Sequence, residues 1–358
     1  MAARIGIDTG GTFTDVIRYS PRGVQVHKLP STPDDPGRAV LAGLAAVRRH
    51  PDEEVDLVHG TTVGLNAVLT GRLARTVFVT NRGFEDLVEI GRQDRSRLYD
   101  LAPSRATPPV PRERRVGVDC RRGPDGEVET ALRDAELRRV VAAVRRLRPE
   151  AIAIGLLHSP IDAADERRLA AALQRALPDV PVTASADVAP VFGEYERFCA
   201  AILNAAISPA VGRYTTRLGE RIGAGQLRLL RSSLGIMPNA EAAQFPARAM
   251  FSGPAGGVLA AEQLARRFGL PAIAAFDMGG TTAKCAIVEG GLSEVQDTYY
   301  VGGYDRGIPL RTPVLDIVEV GTGGGSIAWI SREGHLKVGP KSAGADPGPM
   351  CYPNGGDQ

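Results

Sequence analysis

Asp8 and Asp277 stand in two closely similar stretches, IGIDTGGTFTDVI at 5–17 and AFDMGGTTAKCAI at 275–287. In each, β-forming residues deliver an aspartate to a tight turn, Gly10-Gly11 or Gly279-Gly280, with threonines beside it. Glycine lets backbone N–H groups approach an anion closely. Thr9, Thr12 and Thr14 in the first copy, and Thr281 and Thr282 in the second, add hydroxyl donors. That chemistry suits phosphate. Aspartates facing phosphates repel them unless a divalent cation lies between, and Mg2+, held largely through its waters, is the usual solution. A third glycine-rich turn, GTGGGS at 321–326, follows a strand-like run and is of the kind that accommodates a nucleotide base or ribose. None of the three fits the GxxxxGK[ST] loop or the GxGxxG dinucleotide pattern, because lysine position and spacing are wrong.

The elements that must hold these turns alternate. RIGID, LVHGTTV, RTVFVT and AIAIGLL read as strands. GRAVLAGLAAVRR, DAELRRVVAAVRRLR and AADERRLAAALQRAL read as helices, their apolar residues on a three-to-four spacing. That alternation predicts an α/β fold. The proline-rich, charged stretch 102–115 predicts a surface loop, an excursion over the site. SADVAPVFGEYERFCAAILNAAISPAVGRYTTRLGERI predicts a long helix, bent near Pro209, at a domain boundary. FSGPAGGVLAAEQLARRFG predicts a Gly-rich lead into an amphipathic helix, and the tail from 338 offers no element to close a domain.

Composition narrows the class. The chain has 358 residues, 43% hydrophobic and 23% charged, enough for two domains with cores of their own. A net charge of +2 gives no electrostatic case for nucleic acid or an anionic membrane as the main partner. Arginine clusters such as RRVVAAVRRLR recur on helical spacing and read as solvated faces. Cys120, Cys199, Cys285 and Cys351 form no pair or ligand cluster, so neither a disulfide framework nor a zinc site is indicated. With no apolar signal segment after Met1 and no membrane-length apolar run, a cytoplasmic location is expected.

The order of phosphate turn, helical connection, phosphate turn and adenosine turn resembles the actin, sugar-kinase and chaperone ATPase superfamily. That likeness implies two ribonuclease H-like lobes closing over ATP, with SGPAGGVLAAE at 252–262 as a helix crossing between them. More narrowly, GIDTGGTFTDV, HGTTVGLNAVL, TNRGFEDLVEIGRQDRSRLYDL, LLHS, EYERFCAAILNAAISP, SGPAGGV, DMGGTTAK, VGTGGGSIAWI and VGPKSAGADPGPMCY together resemble the hydantoinase A, 5-oxoprolinase and acetone carboxylase β-subunit family. The resemblance covers essentially the whole chain and implies an N-terminal hydantoinase A region over 1–180 and a hydantoinase/oxoprolinase region over 181–358.

It implies an ATP-dependent enzyme that phosphorylates a carbonyl or enolate oxygen of a cyclic amide, such as a hydantoin or oxoproline, or of a ketone. A resonance-stabilised lactam opens against equilibrium only when coupled to phosphoryl transfer, which is mostly positioning and charge neutralisation. By position, Asp8, Gly10, Gly11, Thr12 and Thr14 match the first phosphate turn and Asp277, Gly279, Gly280, Thr281 and Thr282 the second, with Asp8 and Asp277 holding Mg2+. Gly323, Gly324, Gly325 and Ser326 match the adenosine turn; Lys284 either reaches a phosphate or is merely exposed.

His59 and His158 fall at strand ends, where α/β proteins place functional groups. Each either binds substrate or transfers a proton, or is a ring satisfied by a neighbouring carbonyl. Glu194 and Glu196, with Arg197, offer a substrate clamp or base, or a cap and contact between lobes. Two departures stand out: RSSLGIMPNAEAA replaces a QSNGG-like segment, and relatives continue beyond PGPMCY whereas this chain stops at Gln358. The leading expectation is the ATP-binding subunit of a cyclic-amide hydrolase with a hydantoinase B-type partner. A ketone carboxylase β subunit and a truncated, non-catalytic nucleotide-binding relative are the alternatives.

Overall fold

The computed structural model describes residues 3–32, 34–50, 53–94, 99, 101, 107–223, 226–280, 282–303, 307–344, 347–352 and 355–357. The chain opens with an antiparallel meander of β1 (Ala3–Thr9), β2 (Phe13–Ser20) and β3 (Gly23–Pro30). Side chains alternate across a strand, so Ile5, Ile7 and Thr9 enter the core while Arg4 and Asp8 face outward. Helix α1 (Pro36–Val47) starts at Asp35, whose carboxylate accepts from the Gly37 N–H at 3.2 Å, with Pro36 preset for the first turn. It crosses to β4 (Val55–Thr61), parallel to β1, and their shared core holds Ile5, Ile7, Val16, Val40, Leu44 and Leu57.

A second, wholly parallel sheet follows: β5 (Thr76–Asn81), β6 (Arg115–Val118), α2 (Asp134–Arg146), β7 (Ala151–Gly155), α3 (Ala164–Ala176) and β8 (Val182–Ala184), in strand order β8-β7-β5-β6. The expected loop at 102–115 is more anchored than its prolines predict. Val110 is buried beside Phe78 and Phe198, and Arg115 already belongs to β6, while 102–106 lie outside the described residues.

Helix α4 (Glu194–Ile222) runs unbroken through Pro209. Residues 198–208 are buried without interruption, as expected of a helix with protein on every side. Its first half packs on the parallel sheet, with the Phe78 and Phe198 rings 5.4 Å apart, and its second half puts Tyr214, Leu218 and Ile222 into the β1–β4 core. Beyond it, β9 (Leu227–Leu230) pairs parallel with β4, and β10 (Ile236–Pro238) pairs antiparallel with β9. The first sheet is therefore ordered β10-β9-β4-β1-β2-β3. A meander, a helix and two parallel strands make it ribonuclease H-like, and the parallel sheet is inserted between β4 and β9.

The second lobe begins with α5 (Ser252–Phe268), which packs against β4 and β9 of the first sheet and against the hairpin β11 (Ala272–Met278) and β12 (Ala283–Glu289). It is the crossing helix expected over 252–262, and the two lobes conform to the actin-type α/β class. β13 (Val318–Val320) lies along β12, and β14 (Ser326–Ile330) pairs with β15 (Leu336–Ser342), so the start of the Gly/Pro-rich tail is strand rather than irregular chain. One face of the hairpin sheet covers Ala255, Val258, Ala261 and Ala265 of α5. On the other face Phe276, Met278, Ile287, Val318 and Val320 are exposed. Among the described residues no helix is long and apolar enough to cross a membrane.

Candidate active site

The two aspartate turns have the same closure. Gly10 donates its N–H to the Phe13 carbonyl and Gly279 donates to Thr282, both at 3.0 Å, each between the strands of an antiparallel hairpin. They also meet. A Cβ placed on Gly280 would lie 2.7 Å from Thr12 Oγ1, so the second turn is pressed against the first at a point where any added side chain would push Thr12 aside. The third turn is bonded to the second: Gly324 donates to Gly279 O at 2.9 Å and Gly325 to Gly280 O at 2.7 Å. All three glycine turns thus meet where the lobes face each other.

Asp8 sits at the end of β1 on the cleft side, wedged between two other glycines. A Cβ on Gly60, beside it on β4, would be 2.9 Å from Asp8 Oδ1, and one on Gly253, in the first turn of α5, 2.7 Å. Ser252 fixes that helix end: its hydroxyl accepts from Thr61 N at 2.9 Å and donates to Thr61 O at 3.1 Å. The crowding is one-sided, since Asp8 stays exposed toward the cleft. Burial against protein, then the negative charges of Asp277 and Asp15, push its carboxyl up to about 6, with Lys284 and Lys28 acting in the opposite sense. Asp277 is therefore close enough for its charge to be felt. Lys284, paired in register with Asp277, directs Nζ to Thr282 Oγ1 at 2.8 Å and lies 3.7 Å from Glu319.

Not every predicted residue faces the cleft. Thr14 is buried; its hydroxyl meets Ser31 Oγ at 3.0 Å, and Ser31 donates to Gly10 O at 2.8 Å, so Thr14 braces the turn from behind. Thr9 is buried on the same side. Gly10, Gly324 and Gly325 spend their N–H groups inside the turns, and the Gly323 N–H goes to Ser326 Oγ at 2.8 Å. Gly11 stands exposed at the tip of the first turn with nothing nearby. Thr281 lies outside the described residues.

The histidines lie elsewhere. His59 is fully buried on the core face of β4, its Nδ1 3.1 Å from Ile7 O and its Nε2 2.6 Å from the Tyr214 hydroxyl. Because a carbonyl only accepts, Nδ1 carries the proton and Nε2 accepts from Tyr214. Burial holds its pKa at about 4, so the ring is a neutral tie between β4 and α4. His158, at φ +59°, follows β7 in the inserted sheet, bonded to Arg122 O at 2.8 Å through Nδ1 and to Glu194 through its backbone N–H. Glu196 makes a two-pronged bond to Arg92 at 2.6 and 2.8 Å. Arg197, fully buried, donates to Ser159, Ser185, Leu156 O and Glu194 and faces Glu166. These groups knit the inserted sheet to α4.

Gly60, Ser252 and Gly253 escaped the sequence reading, although HGTT and SGPAGG contain them. Their spacing in the chain gives no sign that they share a wall.

A model of the hydantoinase/oxoprolinase N-terminal region matches residues 4–177, and a hydantoinase/oxoprolinase model matches 197–358. The α subunit of caprolactamase from Pseudomonas jessenii is 36% identical over 99% of this chain and 52% of its own. The γ subunit of acetophenone carboxylase from Aromatoleum aromaticum is 30% identical over 99% of this chain and 51% of its own. The crystal structure of the ATP-dependent caprolactamase from Pseudomonas jessenii superposes with a TM-score of 0.81 at 34% identity, covering 99% of this chain and 53% of that one. The chain spans about half the length of the curated relatives it matches.

Proposed function

The chain belongs to the hydantoinase/oxoprolinase family, and from that premise we propose that it binds ATP with Mg2+ in the cleft of Asp8 and Asp277, as part of an ATP-dependent cyclic-amide hydrolase. The observation that carries the reading is the meeting of three glycine turns around Asp8, with Thr12 against Gly280 and Gly279-Gly280 bonded to Gly324-Gly325. The residues fit a cation. Asp8, lifted to about 6 first by burial and then by the charge of Asp277, would be relieved by a positive charge between the two carboxylates. Asp8 and Asp277 would be the protein's donors to it. That suits Mg2+, which takes few protein oxygens and keeps water. Bound between them, it would neutralise phosphate charge.

In this reading ATP is a substrate and its terminal phosphoryl group passes to the carbonyl oxygen of a lactam, so that the C–N bond becomes open to water. Lys284 and the exposed Gly11 hold phosphate, and Thr12 stands at the seam where the lobes close. In this reading the histidines stand outside the chemistry, His59 tied to Ile7 and Tyr214 and His158 to Arg122. A partner subunit is supported by the naming of relatives as subunits, and in this reading it is of the hydantoinase B type. The family division near residue 180 is proposed for the sequence units; in space, 194–238 lie with the first lobe and its insertion. A second reading, a subunit of a ketone carboxylase, is favoured by the 30% identity to the acetophenone carboxylase subunit.

Asp8→Asn tests the site. Substrate-dependent phosphate release from ATP, measured with caprolactam, hydantoin, 5-oxoproline and, with bicarbonate, acetophenone, is expected to vanish while circular dichroism is unchanged. Turnover equal to wild type removes Asp8 from the reaction. Calorimetric ATP binding without phosphate release from any substrate, partner subunit present, leaves a nucleotide-binding protein only.

A further inference from the structure

Tyr352 belongs to none of the three turns, yet its hydroxyl reaches the point where they join. A Cβ on Gly280 would lie 3.2 Å from it and one on Gly324 3.6 Å, and the same Gly280 position touches Thr12 Oγ1 from the first lobe. The segment that carries it is tied to the second lobe: Ser342 donates to Gly325 O at 3.1 Å and Ala343 N–H to the same oxygen at 2.8 Å. Tyr352 is held locally by its N–H to Pro349 O at 2.9 Å and by Gly355 N–H to its own carbonyl at 2.8 Å. Its ring meets Phe13, at the start of β2 in the first lobe, with centroids 5.8 Å apart and planes inclined by 59°. Lys28 Nζ lies 5.1 Å over the other partner's ring, that of Phe13.

Among the described residues the Tyr352 hydroxyl has no hydrogen-bond partner, although a phenolic O–H close to so many backbone groups is well placed to find one. The half-buried hydroxyl lies at the junction that the ATP reading assigns to phosphate. We propose, resting on that reading, that Tyr352 is a nucleotide-contacting residue whose hydroxyl donates to a phosphate oxygen of ATP, and that Phe13 is its positioning residue. Since one ring moves with each lobe, engaging phosphate and closing the cleft become a single event. A hydrogen bond to a charged acceptor is stronger than a neutral one, so its loss weakens binding by about tenfold to a hundredfold.

The test measures calorimetric ATP affinity and thermal midpoint for wild type, Tyr352→Phe, Phe13→Leu and Phe13→Tyr in the full chain. Tyr352→Phe keeps the ring contact and should lose at least about tenfold in affinity with an unchanged midpoint. Phe13→Leu should also weaken binding, and Phe13→Tyr, which restores an aromatic ring, should recover it. ATP affinity equal to wild type in Tyr352→Phe overturns the proposal, as does a loss of affinity that only follows a lowered midpoint. A wild-type chain that binds no ATP removes the ATP reading itself, and this one with it.

Discussion

Gly253→Ala is the sharpest probe of the Asp8 cradle. The new methyl would stand 2.7 Å from Asp8 Oδ1, whereas ordinary contact begins at 3.4 Å, so 0.7 Å must be found. The backbone cannot supply it cheaply, because Ser252 next door is locked to Thr61 by two hydrogen bonds. The carboxylate must move instead, toward Gly60 or out into the cleft. Fold stability should barely change: removing a glycine from a helix gains up to about 1 kcal/mol, and a small clash costs a similar amount. Catalysis should suffer far more, since a misplacement of about 1 Å costs about a hundredfold. A fall in kcat of roughly ten- to a hundredfold is therefore expected, with a thermal midpoint close to wild type. Gly257→Ala is the control, one turn further along α5, where an added Cβ meets nothing within 4 Å. It should keep full turnover and gain slightly in stability. The assay is ATP-dependent substrate turnover beside differential scanning calorimetry. Turnover within about twofold of wild type in Gly253→Ala, or an equal loss in Gly257→Ala, refutes the reasoning that Asp8 is placed by this wall.

Three further outcomes follow from charge and burial. Asp8, with its carboxyl raised from 3.8 to about 6, favours the folded state most when protonated. Its contribution is full below pH 3.8 and is lost as pH rises through about 6, so the nucleotide-free chain should lose stability over that window more steeply than Asp8→Asn, as read from thermal midpoints. Mg2+-dependent nucleotide binding needs the carboxylate and should strengthen over the same window. His59→Gln should lower stability by about 1–3 kcal/mol by breaking the tie between Ile7 and Tyr214, read from urea midpoints, while turnover per folded molecule stays near wild type. A large drop in kcat at unchanged stability would return His59 to the chemistry.

The aspartate turns were legible because their information is local: apolar strand, Asp, Gly-Gly, Thr. The side on which each residue falls was also written in the strand period. Val55, Leu57 and His59 alternate with Asp56, Val58 and Gly60, which places His59 among the core residues and Gly60 with Asp8. The same parity sends Thr14 inward opposite Thr9. What no local pattern carries is the pairing of distant segments. LRLL at 227–230 joins β4 across the whole inserted sheet, and Gly253 meets Asp8 only because α5 returns to the first lobe. Tyr352 ends the quoted VGPKSAGADPGPMCY stretch, but no local pattern tells that its ring meets Phe13 across the lobes.

Helix α4, 29 residues and so about 43 Å long, works as a girder. One end is riveted into the inserted sheet by Arg197 and Phe198, the other into the first lobe by Tyr214 and Leu218. Those two bodies must travel together. An opening between the lobes would part the seam between Thr12 and Gly280.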